Sequence, residues 1–143
     1  LQPKILAKKI RKNLLMQKEK LEGYLDILEN EETDLKQEDP DKLIEHINLE
    51  KDIINELNSF KKILIPLEKI YYNLPFKKDL EIFNLKSSID NLSKQVVNKT
   101  NKNKEILDTV LVKIKADIQG IAKKKTKRNT YEFVDTRLVD ING

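Results

Sequence analysis

The segment Leu14–Leu43, LLMQKEKLEGYLDILENEETDLKQEDPDKL, sets Leu14, Leu21, Leu28 and Leu35 one heptad apart, with Leu25 on an alternate position. Leu6 and Ile10 carry the same apolar stripe back towards Pro3. Such a seam needs another helix beside it, because one apolar edge cannot be hidden by its own helix. The reading is a helix from Pro3 to about Gln37, roughly 50 Å long. Pro3 suits its first turn. Gly23 weakens the interior by roughly 1 kcal/mol relative to alanine. Asp39-Pro40-Asp41 at the end of the segment is a helix start, with a capping carboxylate, proline in the first turn and acid behind it. The gap between the two helices is too short for anything but an antiparallel hairpin.

The second helix carries Leu43, Ile47, Ile54, Leu57, Leu64 and Leu67 at helical spacing, widened by Ile44, Ile53, Phe60 and Ile63. Pro66 removes a backbone donor, so a kink or break is expected there, with irregular chain by Asn73 to Pro75. A third helix is expected from about Lys77 to Lys125. Its stripe is Ile82, Leu85, Ile89, Leu92 and Val96, then Ile106, Leu107, Val110, Leu111, Ile114, Ile118 and Ile121. Between the halves, Asn98 to Asn103 contains no apolar residue, so either the stripe turns polar or the helix breaks. The fold class is therefore all-α: an elongated antiparallel hairpin plus a long third helix, a three-helix coiled-coil-like bundle. One helical domain is expected over 1–128, followed by a flexible C-terminal tail over 129–143.

Composition narrows the function. Of 143 residues, 36% are charged, which suits long helices with solvated outer faces. Three glycines and four prolines leave little material for an all-β fold. Without cysteine there is no disulfide framework, thiolate zinc site or cysteine nucleophile. No run approaches a membrane span and no secretory signal is visible, which reads as a cytoplasmic protein. The net charge of +4 is uneven. Lys4, Lys8, Lys9, Arg11 and Lys12 make a basic start, and Lys123, Lys124, Lys125, Lys127 and Arg128 a basic end. No aromatic residues interleave these runs, so solvated helix ends are favoured over a nucleic-acid surface.

Nothing in the sequence supports chemistry. His46 is the only histidine, and it falls roughly opposite Glu31 across the hairpin; a charge-helped hydrogen bond there is one reading, and an ordinary surface histidine is the favoured one. Glu29, Glu31, Glu32 and Asp34 read as a solvated acidic end, since a carboxylate acid–base pair needs a partly dry site. The glycines are isolated, so no phosphate-cradling loop exists. No catalytic residue, metal ligand or cofactor is expected. The aliphatic stripe from Ile106 to Ile121 either packs on the first two helices or docks a partner's amphipathic helix.

Several segments resemble the FlgN family of flagellar export chaperones. "LDILENEETDL", with Leu25, Leu28, Glu31 and Leu35, resembles the run that ends the family's first helix. "DPDKLIEHINLEKDIINEL" resembles its second-helix opening, with Lys51 ahead of Ile53 and Ile54. "NKTNKNKEIL" resembles an Asn-rich stretch before a Leu-rich final helix, and "NTYEF" a Tyr-containing segment, here Tyr131, that follows it. The resemblance implies a cytoplasmic chaperone, a monomer or weak dimer. It would bind the C-terminal helices of hook-associated proteins (FlgK/FlgL-like) and deliver them to the flagellar type III export apparatus. By analogy Leu107, Val110, Leu111, Ile114, Ile118, Ile121 and Tyr131 would bind the partner. The alternative is a self-associating structural helical-bundle protein.

Overall fold

The computed structural model describes residues 2–125, which form three helices in chain order: α1 (Pro3–Gln37), α2 (Pro40–Asn73) and α3 (Leu80–Lys125). No strand occurs among the described residues. The α1–α2 turn is made as its sequence suggests. Glu38 adopts a left-handed conformation (φ 56°), and backbone N–H groups after the helix return to Asp34 O and Leu35 O. Asp39 then caps α2 by accepting the Lys42 N–H at 3.2 Å.

The central element is α1, which packs along both other helices, antiparallel to α2 and parallel to α3. Its two seams are buried nearly throughout: Ile10, Gln17, Tyr24 and Glu31 on one, Leu14, Leu21, Leu28 and Leu35 on the other. Helix α2 offers one matching seam, Leu43, Leu57, Leu64 and Tyr71, spaced in heptads with Glu50 in the remaining position. From α3 come Ile82, Val96 and Asn103. One apolar cluster joins Leu6, Ile10, Leu14, Leu64, Tyr71 and Ile82, and a second joins Leu21, Tyr24, Leu28, Leu57 and Val96.

The structure resolves what the pattern leaves open in α2 and α3 and shifts one boundary. Helix α2 runs unbroken through Pro66, which faces solvent, where water can satisfy the carbonyl that loses its donor. Ile44, Ile54 and Ile63 are exposed, because α2 docks through a single narrow seam and the rest of its apolar stripe has no helix over it. The α3 stripe turns polar between its halves without a break, and the helix begins at Leu80 rather than Lys77.

Residues 74–79 form the corner into α3, pinned by polar groups. The Lys78 ammonium donates to Tyr71 O at 2.8 Å and Leu74 O at 2.7 Å, capping the end of α2. The Asp79 N–H donates to the buried Tyr71 hydroxyl at 2.6 Å, and the Asp79 carboxylate accepts the Glu81 N–H at 2.8 Å. Arg11 of α1 pairs with Asp79, and with Glu81 at 3.7 Å. On the far side of the corner, Lys86 of α3 pairs with Glu68 of α2 at 2.6 Å.

Candidate protein-docking groove

Helix α3 outruns the hairpin. Lys113 reaches Glu38, the residue that ends α1, at 3.4 Å, so residues 114–125 extend about 18 Å beyond the turn. The aliphatic stripe of α3 spans this departure. Leu107, Val110, Leu111 and Ile114 form one wall of an open groove, and Leu35, Pro40 and Leu43 at the hairpin turn form the other. The groove encloses about 190 Å³. The acids around it are already engaged: Asp34 with His46, Glu38 with Lys113, and Asp39 with the α2 cap. What remains at the surface of the groove is aliphatic, suited to the apolar side chains of a helix.

The predicted partner residues divide into three groups. Leu107, Val110, Leu111 and Ile114 come together, each half-buried. Ile118 and Ile121 lie further along the overhang outside the groove, and Ile121 is 52% exposed. Tyr131 and the tail lie outside the described residues. Pattern reading missed Leu35, Pro40 and Leu43 as groove residues. The usable signal was position: the last apolar residue before a tight turn and the first after it must flank the hairpin tip.

Immediately behind the groove the three seams become polar together. Asn103, 2% exposed, donates to Leu28 O at 2.8 Å and to Glu31 Oε1 at 3.2 Å. Glu31, 8% exposed, is joined in this layer by the half-buried Glu50 of α2. Burial, then the neighbouring Glu31 carboxyl, push the Glu50 carboxyl up to about 8. Glu50 therefore keeps its proton at neutral pH. Burial likewise raises the nearby Tyr24 phenol, with the Glu50 and Glu31 charges adding to it. At the rim of this layer, Glu32 gathers Lys99, Lys36 at 3.3 Å and Lys102 at 3.5 Å; the Lys99 hydrogen bond chiefly holds its carboxyl at about 2.

The acidic segment is thus solvated only in part: Glu29 is exposed and Glu32 half-buried, but two of its acids are enclosed. Glu31 and Asp34 are buried because α1 is the central helix and is covered from two sides. His46 does not meet Glu31. Its Nε2 lies 2.5 Å from Asp34 Oδ2, one turn further along, and both side chains are mostly enclosed. Glu50 and Asn103 also escaped the sequence reading. Each sits on a heptad seam, but a charged or amide residue there reads as surface unless the register of the neighbouring helix is known.

Among the described residues no group of three His, Asp or Glu side chains could hold a metal ion, and no helix is long and apolar enough to cross a membrane. Comparison of the chain with protein families, with characterised proteins and with solved structures finds no match.

Proposed function

We propose that this chain is an export chaperone of the FlgN kind. It covers the apolar C-terminal helices of hook-associated flagellar proteins in the cytoplasm and hands them to the type III export apparatus. The observation that supports this reading is the groove of Leu35, Pro40, Leu43, Leu107, Val110, Leu111 and Ile114, where the α3 stripe leaves the bundle with one side uncovered. A client helix laid there continues the packing that α1 and α2 give the earlier part of α3, and the overhang with Ile118 and Ile121 lengthens its track. The work is binding, with no reaction.

Calorimetric titration with the C-terminal helical segment of a hook-associated protein tests this. Saturable one-to-one binding with a negative heat-capacity change is expected, as apolar surface is buried. Ile114→Asp, which places a charge in the groove wall, should weaken binding at least ~tenfold while the fold persists. No heat with the wild-type chain, or unchanged affinity in a folded Ile114→Asp variant, overturns the proposal.

One observation favours a second reading, a self-associating structural bundle. Ile63, Ile65, Ile70 and Tyr72 of α2, with Leu80 and Phe83 at the start of α3, expose a further set of large apolar side chains. A stable oligomer in sedimentation, together with no binding of the client helix, would select it.

A further inference from the structure

The end of the rod opposite the groove carries a second cleft, of about 510 Å³, between the start of α1 and the corner before α3. It is lined by Pro3, Lys4, Ala7, Lys8 and Arg11 of α1, Tyr71 of α2, and Phe76, Lys77 and Asp79 of the corner. Its charges are not balanced. Arg11 is committed to Asp79 and Glu81, and those acids to it. Lys4, Lys8 and Lys77 have no carboxylate within ion-pair reach among the described residues. Lys4, Lys8 and Lys77, all exposed, therefore line a cleft whose accessible apolar surface is Pro3 and the half-buried Phe76. The Phe76 ring meets the buried Tyr71 ring edge to face at 5.3 Å, and the Lys78 ammonium lies 4.3 Å from its centroid.

We propose that this cleft docks an acidic peptide segment of a partner protein, with an apolar side chain on Pro3 and Phe76 and carboxylates on Lys4, Lys8 and Lys77. Charge complementarity selects the occupant. A volume of this size is that of a ligand pocket, whereas a nucleic acid needs a longer cationic track. The cleft's one arginine, Arg11, the side chain suited to bidentate phosphate recognition, is engaged internally. The site lies far from the groove and does not depend on the chaperone reading.

The test uses the full chain and a fluorescein-labelled peptide in which one phenylalanine is flanked by glutamates, read by anisotropy in moderate salt. Saturation below roughly 100 μM protein is expected, with affinity falling as salt rises. The triple variant Lys4→Glu/Lys8→Glu/Lys77→Glu should lose at least ~tenfold in affinity. Lys51→Glu/Lys61→Glu/Lys69→Glu, on exposed positions of α2, should lose less than ~threefold. Circular dichroism checks that both variants keep their helices, and a Lys→Gln version of the first triple replaces it if charge reversal unfolds the chain. No saturation, equal losses in the two triples, or equal binding of a peptide without phenylalanine overturns the proposal. So does tighter binding to phosphatidylserine vesicles or to a random DNA duplex than to the peptide.

Discussion

Replacing Glu50 by glutamine should flatten the alkaline side of this protein's stability curve. In the unfolded chain Glu50 titrates near 4.5, and in the bundle near 8, because burial and Glu31 oppose its ionisation. Between these values the folded state holds a proton that the unfolded state has released. Stability must then fall as pH rises through that window, while below about 4.5 both states are protonated and the effect vanishes. At ~1.4 kcal/mol per pKa unit the full loss would approach about 5 kcal/mol. Glu50 is only half-buried, and solvent screening reduces this to about 2–3 kcal/mol.

Glutamine keeps the shape of the side chain and cannot ionise. Urea unfolding followed by far-UV circular dichroism from about pH 5 to about pH 9 should show the wild type losing midpoint steadily and Glu50→Gln nearly level. The curves should coincide within about 0.5 kcal/mol at the acid end and diverge by about 2 kcal/mol at the alkaline end. A wild-type midpoint that is flat or rises over this range would refute the raised Glu50 carboxyl. So would a glutamine variant that tracks the wild-type slope.

Three further outcomes are expected. Glu32 has the opposite sign: its folded pKa is depressed, so its contribution is complete above about 4.5 and is lost as pH falls towards about 2, and Glu32→Gln should reduce the acid-side loss in the same unfolding series. Gly23→Ala should stabilise by about 0.5–1 kcal/mol, since an added Cβ meets nothing within 4 Å in mid-helix; a lower urea midpoint would contradict this. Asn103→Leu should destabilise by about 1–3 kcal/mol, because Leu28 O and Glu31 lose their buried donor, and an unchanged or raised melting temperature would show the polar layer to be dispensable.

Much of the architecture was written in the local pattern. The ends of α1, the Asp39-Pro40 start of α2 and the hairpin between them follow from heptad spacing, proline placement and one capping carboxylate, all interactions within a few residues. Leu14, Leu21, Leu28 and Leu35 had to be buried because an amphipathic rod of that length has no other means of hiding its seam. Where the sequence left a point open, a local rule met a nonlocal fact. Pro66 does not end α2 because its turn faces water, and Ile44, Ile54 and Ile63 stay exposed because no third helix reaches that side.

The tertiary structure alone decided the register of α3. A heptad stripe can slide along its neighbour by whole repeats with little change in apolar burial, so spacing does not fix the match. In the bundle, Asn103 meets Leu28 O and Glu31, Lys99 meets Glu32, and Asp79 meets Arg11; slipping by one heptad would separate all three. That register sets how far α3 projects past Glu38, and hence which part of its stripe is left open as a groove. The sequence determined that an aliphatic stripe existed from Ile106 to Ile121. Which of those residues remain uncovered depends on where two other helices end beside it, a relation between distant parts of the chain that no local spacing encodes.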